Sequence, residues 1–254
     1  MSRYRSDWFE SRKERARASA RVVLPIVFTL IEPSSVADVG CGTGSWLVVA
    51  EELGVAESIG IDGSHIDKAL LEIPEEQFLV HDLRTSLALN RTFDLALCLE
   101  VGEHLPPRSA STLVQTLIGL APVVLFSAAV PGQGGTSHVN EQWPEYWTAL
   151  FSSFDYLAYD VVRHQIWRDD RVRYFYAQNS LLYVRGSETC RYPKLPEPLF
   201  EPPLALVHPK LFGRVRDAFP PASNVSLGSL VRFGAKLARR PFDRTSSPTG
   251  GQTP

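Results

Sequence analysis

The chain contains 254 residues, carries a formal net charge of −2 and is 44% hydrophobic, which suits one globular α/β domain with an extension. Its three cysteines, Cys41, Cys98 and Cys190, are spaced neither as a disulfide framework nor as a CxxC metal motif, so we expect a reducing, cytoplasmic environment. The longest apolar stretch near the start, residues 22–31, is too short to span a bilayer and has no cleavage pattern. We therefore expect neither export nor a membrane partner.

Charge is distributed unevenly along the chain. Residues 1–21 carry seven Lys/Arg against three Asp/Glu, residues 209–254 carry eight against two, and the stretch between them therefore has a net charge of −12. An acidic core repels the phosphate backbone of a nucleic acid, so such a partner would have to be held by the basic ends. We expect solubility to explain those ends and do not expect nucleic acid as the partner.

Hydrophobic periodicity predicts helices and strands that alternate along most of the chain. The predicted helices cover residues 6–31, 45–53, 65–71, 109–120, 144–152 and, within an aromatic stretch, 166–176. The predicted strands cover residues 36–38, 57–62, 77–82, 93–99, 123–130, 155–161 and 180–184. Seven strands separated mostly by helices predict an α/β fold of the Rossmann-like, doubly wound type, with a largely parallel sheet and a helical N-terminal lead-in.

Composition changes after residue 185. Eleven of the 19 prolines lie at or beyond Pro193, and the last dozen residues are mostly Ser, Thr, Gly and Pro. We expect residues 1–185 to form the main domain and residues 186–240 to form an irregular, proline-rich extension packed on it, with a helix near 226–239. We expect residues 241–254 to be disordered. The sequence gives no information on the oligomeric state.

A glycine-rich turn joins the first predicted strand to the helix that follows it. Its pattern is Asp38-x-Gly40-x-Gly42-x-Gly44, and three glycines at every second position allow a sharp backbone turn. The dinucleotide-binding fingerprint requires Gly or Ala three positions after its second glycine, and this chain has Ser45 there. The Gly-Lys-Ser/Thr of a P-loop is also absent. In a doubly wound sheet this turn lies at the carboxyl edge, where cofactors bind.

Acidic residues end three predicted strands. Asp38, Asp62 and Asp82 each follow an apolar run, and Glu100 follows the fourth strand. One such acid is usually a turn or capping residue. Several acidic residues at successive strand ends behind a glycine loop indicate a cleft along the carboxyl edge of the sheet. Asp62 falls 18 residues after Gly44, near the spacing at which nucleoside-binding folds place an acid against ribose hydroxyls.

These features, in this order, resemble class I S-adenosylmethionine-dependent methyltransferases over roughly residues 20–185, with motif I at the glycine loop and motif IV beginning at Glu100. The resemblance implies S-adenosylmethionine as the cofactor, with Asp38 supporting the loop, Asp62 accepting the ribose hydroxyls and Asp82 accepting the adenine amino group. An acidic cleft suits its cationic sulfonium and ammonium groups. The implied cofactor-binding set is Asp38, Gly40, Cys41, Gly42, Gly44, Asp62, Gly63, Asp82, Leu83 and Glu100.

Glu100, Glu103 and His104 stand at i, i+3 and i+4, so one helical turn would bring them to one face. The Glu-x-x-Glu-His segment resembles that of the ubiquinone-pathway O-methyltransferases and the small-RNA terminal 2'-O-methyltransferases. The resemblance implies a site for Mg²⁺ or another divalent metal formed by Glu100, Glu103, His104 and, from the loop after the fifth strand, His138. Without metal, His104 could instead be a general base or a purely structural residue, and these alternatives stay open.

The loop of residues 132–143 also resembles one in bacterial small-molecule and glycan-associated methyltransferases. Trp143, Tyr146 and Trp147 could close over an acceptor, although their helical spacing also fits a core stripe. We therefore expect transfer of a methyl group to a small-molecule hydroxyl, such as that of a sugar or a natural-product intermediate, with His104, Glu103 and His138 as the catalytic residues. The alternatives are an RNA ribose 2'-O-methyltransferase and a non-catalytic cofactor- or partner-binding module.

Overall fold

The computed structural model describes residues 2–218, with side chains from residue 13 onward. Residues 1–212 form one compact unit; of a second unit, residues 213–254, the first six residues are described. The helices are α1 (Ser2–Ile31), α2 (Ser45–Glu52), α3 (Ala110–Leu120), α4 (Pro144–Ser152), α5 (Arg163–Ile166), α6 (Tyr174–Asn179) and α7 (Pro209–Ala218). The strands are β1 (Ser35–Val39), β2 (Glu57–Asp62), β3 (Phe78–Val80), β4 (Leu95–Leu99), β5 (Val123–Ser127), β6 (Tyr156–Tyr159) and β7 (Leu181–Arg185).

The seven strands form one sheet in the order β3-β2-β1-β4-β5-β7-β6. The first five strands in this order pair in parallel, and β7 runs antiparallel to both β5 and β6. Six strands therefore point their carboxyl ends to one edge of the sheet, which is where a doubly wound fold places its ligand. The predicted α/β fold class, the mostly parallel seven-stranded sheet and the helical lead-in are confirmed.

Helices pack on both faces of the sheet, and the strands are therefore buried on both sides. Alternate residues of β1 and β4 belong to different cores: Val36 and Leu97 pack with α1 and α2, whereas Ala37 and Cys98 pack with α3 and α4. This period of two explains why the strands read as continuous apolar runs in the sequence. Among the described residues, no helix has both the length and the apolar character needed to cross a bilayer.

Some predicted elements are wrong. Residues 65–71 form no α-helix but a loop with one 3₁₀ turn (Lys68–Leu70), and the backbone N–H of Glu72 just after it donates to the carbonyl of Thr43 at 2.8 Å instead of to a helical carbonyl. The aromatic stretch of residues 166–176 is interrupted at Asp169, whose carboxylate caps a turn between α5 and α6.

The proline-rich segment is less irregular than its composition suggests. It contains a 3₁₀ helix (Gly186–Arg191) and α7, neither of which the sequence pattern predicts. Up to His208 it is bonded to the main domain: the Leu199 N–H donates to the Ala158 carbonyl, and the His208 N–H donates to Gln178 Oε1. The predicted helix near 226–239 and the predicted disordered tail lie outside the described residues.

Candidate active site

The glycine loop is organised by the acid that ends β2. Asp62 is buried, and its Oδ2 accepts a hydrogen bond from the Gly42 N–H at 2.8 Å while its Oδ1 accepts one from the Gly63 N–H at 2.6 Å. The backbone N–H of Gly40 donates to the Ile61 carbonyl at 2.7 Å. The carboxylate that supports the loop by a direct hydrogen bond is therefore that of Asp62, whereas the sequence predicted this role for Asp38.

The loop glycines are required for two different reasons. Gly40, Gly42 and Gly44 have φ values of 82°, 57° and 91°, in the left-handed region that side chains disfavour. A Cβ on Gly40 would also lie 2.3 Å from a methyl of Val101, and one on Gly44 would lie 2.9 Å from Ile73. At Gly42 the same position faces open space, with no atom within 4 Å. The loop thus packs tightly at both ends and leaves room at its centre for a ligand to approach the backbone.

Asp38 lies beneath this loop with an unsatisfied carboxylate. The residue is 3% exposed, and its Oδ2 has no hydrogen-bond partner in the described part of the chain. Burial, together with the nearby charge of Asp62, raises the pKa of Asp38 to about 8. A buried acid with a free oxygen beside a second acid is a site that a cation would stabilise.

Asp82 follows β3 as predicted, but its carboxylate is occupied. Both oxygens bond the guanidinium of Arg84, at 2.8 Å to Nε and 2.7 Å to Nη2, and these hydrogen bonds lower the pKa of Asp82 to about 2. Its side chain is 47% exposed, so Arg84 could be displaced into solvent. Leu83 beside it packs against the core on the α3 side of the sheet. Binding of a nucleobase by this pair stays a prediction.

Glu100 lies where β4 ends beside β5. Its backbone N–H donates to the Ser127 carbonyl at 2.9 Å, and its φ of 58° bends the chain sharply. Its carboxylate accepts hydrogen bonds from Gln133 Nε2 at 2.7 Å and Asn179 Nδ2 at 3.0 Å. Burial raises the pKa of Glu100, although the two amides and Ser127 oppose the shift. The predicted helical turn from Glu100 to His104 is not formed, because the left-handed Glu100 separates the strand from a 3₁₀ turn (Gly102–His104).

Glu103, His104 and His138 come together beside this turn. Each offers one ligand atom, and these atoms lie within 4.8 Å of one another. The two imidazole rings meet edge to face, with 4.9 Å between their centroids. The structure therefore gathers three of the four predicted metal ligands, whereas the fourth, Glu100, is held by the amides of Gln133 in the loop after β5 and Asn179 at the end of α6.

The electrostatics of this trio favour a cation. Glu103 is 1% exposed, and its Oε2 has no hydrogen-bond partner among the described residues. Burial and then the proximity of Glu100 raise the pKa of Glu103 to about 9. Burial and then His138 lower the pKa of His104, so that its imidazole is neutral at neutral pH and has a nitrogen lone pair available. A neutral imidazole beside an unsatisfied carboxylate is a suitable donor set for a divalent ion.

The loop after β5 supplies His138, and Glu141 fixes it. Glu141 Oε1 lies 2.9 Å from His138 Nδ1 and accepts the Gly134 N–H at 2.7 Å, while its Oε2 accepts the Gly132 N–H at 2.8 Å. A carboxylate at Nδ1 holds the proton there and leaves Nε2 with the lone pair. The Glu103 carbonyl accepts N–H donors from two residues of the same loop and thereby ties it to the 3₁₀ turn.

Sequence inspection did not single out Glu141, Gln133 or Asn179. The spacing of three residues between His138 and Glu141 was the one available signal. Asn179 is 79 residues from its partner Glu100, and no local pattern connects them. These residues become recognisable only when the fold brings β4, the loop after β5 and the end of α6 together.

The aromatic residues after this loop belong largely to the core. Trp147 is 2% exposed, and its ring contacts Phe126 with a centroid separation of 4.9 Å. A Cβ on Gly102 would lie 2.7 Å from the same indole, so the 3₁₀ turn rests on Trp147. The core-stripe interpretation therefore holds for Trp147, while Trp143 and Tyr146 are half-buried and Tyr146 also packs against this core.

The fold and the glycine loop together define a class I S-adenosylmethionine-dependent methyltransferase. The family model described as a methyltransferase domain matches residues 11–171. The chain therefore belongs to the methyltransferase-domain family, and the predicted enzyme class is confirmed. No curated protein matches the sequence significantly.

Solved structures show the same fold at low sequence identity. The magnesium protoporphyrin IX methyltransferase ChlM of Synechocystis PCC 6803 is 19% identical, with a TM-score of 0.51 over 68% of this chain and 83% of that chain. The plantazolicin methyltransferase BpumL is 14% identical, with a TM-score of 0.50 over 71% of this chain and 88% of that chain. DesVI of Streptomyces venezuelae is 20% identical, with a TM-score of 0.42, and the match spans 51% of this chain and 58% of DesVI.

Proposed function

We propose that this chain transfers a methyl group from S-adenosylmethionine to a hydroxyl of a small molecule, such as a sugar or a natural-product intermediate, at a site built from Glu103, His104 and His138. The observation that carries the proposal is the buried Glu103 oxygen without a partner beside two imidazoles at the carboxyl edge of the sheet. Such a group is costly to bury unless a ligand completes it.

The cofactor would lie on the glycine loop. S-adenosylmethionine supplies a methyl group on a sulfonium and also carries an ammonium. The open space at Gly42 allows its approach, and the unsatisfied oxygen of Asp38 is a partner for positive charge. Asp62 already holds the loop through Gly42, and in this proposal it also accepts the ribose hydroxyls of the cofactor. The net charge of −12 over residues 22–208 further favours a cation over a phosphate-bearing ligand.

The donor set of the trio fits a divalent cation. One carboxylate and two imidazoles within 4.8 Å suit a first-row transition ion such as Mn²⁺ better than Mg²⁺, which prefers oxygen ligands. A divalent cation held there would lower the pKa of an acceptor hydroxyl. Glu141 would hold a proton on His138 Nδ1 and so leave the Nε2 lone pair of His138 for the cation. Without a cation, His104 could take the hydroxyl proton itself because its pKa is lowered.

A small acceptor fits this site better than a nucleic acid. The loop of residues 131–143 lies against the trio and is held to the 3₁₀ turn by backbone hydrogen bonds to the Glu103 carbonyl, so a macromolecular acceptor would have to pass this loop. The structural neighbour ChlM is named for a porphyrin acceptor, and BpumL for plantazolicin. A ribose 2'-hydroxyl acceptor would need the basic ends to grip RNA, and salt-dependent RNA binding is the result that would favour that alternative.

The proposal is tested by measuring S-adenosylhomocysteine formation with a panel of sugars and natural-product hydroxyl compounds. Turnover should require Mn²⁺ or a similar ion, should stop with a chelator and should be lost in Glu103→Gln. The matched control is Glu145→Gln, which changes an exposed glutamate at the start of α4. Full turnover of Glu103→Gln in chelator would refute a role for the trio.

A further inference from the structure

We propose that Glu72 is a positioning residue for the cofactor loop, and that it keeps the glycine loop in its binding conformation by bridging two loop hydroxyls to α1. The proposal rests on the use of S-adenosylmethionine proposed above. It concerns a residue outside the predicted cofactor-binding set, in the segment between β2 and β3 where the expected helix is missing.

The contacts of Glu72 converge on the residues that flank Gly44. Its Oε1 accepts hydrogen bonds from the Thr43 hydroxyl at 2.5 Å and the Ser45 hydroxyl at 2.6 Å, and its backbone N–H donates to the Thr43 carbonyl at 2.8 Å. One residue from another segment thus makes three hydrogen bonds to two positions of the loop, one on each side of Gly44. The next residue, Ile73, closes against Gly44 so tightly that a Cβ there would lie 2.9 Å away.

The same carboxylate is linked to the N-terminal helix. Arg17 of α1 places Nη2 2.5 Å from Glu72 Oε2, and the Glu72 side chain is 5% exposed. A carboxylate this buried needs a counter-charge, and Arg17 provides it. The carboxylate therefore has one oxygen on the loop and the other on α1, so that the helix, Glu72 and the glycine loop form one connected unit.

A glycine loop needs such a brace because glycine loses more backbone freedom on ordering than any other residue. Gly40, Gly42 and Gly44 all adopt positive φ, and a loop free to leave this conformation would have to be ordered again each time a ligand binds. Fixing the side chains on both sides of Gly44 removes part of that cost before binding. The predicted consequence is a change in cofactor affinity, with little change in the chemical step.

The first test is isothermal titration with S-adenosylhomocysteine on the full chain. Glu72→Ala should weaken binding about tenfold, whereas Glu72→Gln, which keeps an oxygen for the two hydroxyls, should recover affinity to within about threefold of the parent. Glu75→Ala is the control, because Glu75 lies three residues later and forms an exposed ion pair with Lys68. With a suitable acceptor, the KM for S-adenosylmethionine should rise in Glu72→Ala while kcat stays within about threefold.

A second variant covers the case in which Glu72→Ala does not fold. Thr43→Val combined with Ser45→Ala leaves the ion pair to Arg17 intact and should weaken S-adenosylhomocysteine binding to a similar degree. Adding Glu72→Gln to the double variant should weaken S-adenosylhomocysteine binding by less than a further twofold, because Glu72 and the two hydroxyls take part in the same hydrogen bonds. Binding within twofold of the parent in Glu72→Ala or in the double variant, or fully additive losses, would overturn the proposal. Failure of the parent protein to bind would instead count against the cofactor assignment.

Discussion

Protonation of Asp38 should make cofactor binding depend on pH. Its pKa of about 8 means that the buried carboxyl is mostly neutral at pH 6 to 7 in the free protein. A cationic ligand favours the ionised form, so binding should release a proton. Lowering the pH stabilises the neutral, non-binding form, and raising it toward 8 removes that penalty.

The size of the effect follows from the pKa shift. If the bound protein keeps Asp38 ionised, the apparent affinity should increase about tenfold from pH 6 to 7 and about fivefold from pH 7 to 8, since each unit of pH below the pKa is worth about 1.4 kcal/mol. Titration calorimetry with S-adenosylhomocysteine, which keeps the ammonium, measures the affinity. Repeating it in buffers of different ionisation enthalpy counts the protons released.

The variant Asp38→Asn is the control for this experiment. It cannot ionise, so it should bind more weakly at pH 8 and should lose the dependence on pH. All other groups are unchanged in the variant, so any dependence on pH that survives belongs to them. An affinity that is flat between pH 6 and 8 in the parent, or proton uptake on binding, would show that Asp38 does not ionise when the cofactor binds.

Further predictions concern the loop after β5, the glycine loop and the three residues Glu103, His104 and His138. Gly135→Ala should reduce Mn²⁺ affinity at least tenfold, because the new methyl would lie 2.1 Å from His138 Nε2, whereas Gly119→Ala in α3 meets no atom within 4 Å and should leave metal binding unchanged. Glu141→Gln should shift the tautomer of His138, which nitrogen-15 NMR detects, and an unchanged tautomer would contradict its role. Gly44→Ala should lower the thermal unfolding midpoint because it combines a φ of 91° with a clash, and an unchanged midpoint would show that the loop adapts.

The fold was largely predictable from the sequence because its signals are local. Strands buried on both faces appear as short apolar runs, and helices between them show the 3.6-residue period. The predicted helix over residues 65–71 failed because a contact of long range competes with it: the Glu72 N–H bonds the Thr43 carbonyl 29 residues away. The helix propensity of a seven-residue segment contains no information about a hydrogen-bond partner so far away in the sequence.

The candidate site was predictable only in part, for the same reason. Asp38 and Asp62 could be predicted as site residues because parallel strands bring their carboxyl ends to one edge, and Glu103 because it belongs to the Glu-x-x-Glu-His segment. Residues that hold these groups in place, such as Glu141 and Glu72, carry no motif and act through partners on other segments. Glu100 was predicted with the trio from helical spacing, but its left-handed backbone breaks the spacing on which that prediction relied.

The most direct test of the account is crystallographic. Crystals of the protein with S-adenosylhomocysteine and Mn²⁺ should show one anomalous peak bounded by Glu103, His104 and His138, measured at a wavelength where manganese scatters anomalously. The same peak should be absent in Glu103→Gln. Full cofactor occupancy with no anomalous peak at these three residues would contradict the proposal that they hold the metal beside the transferred methyl group.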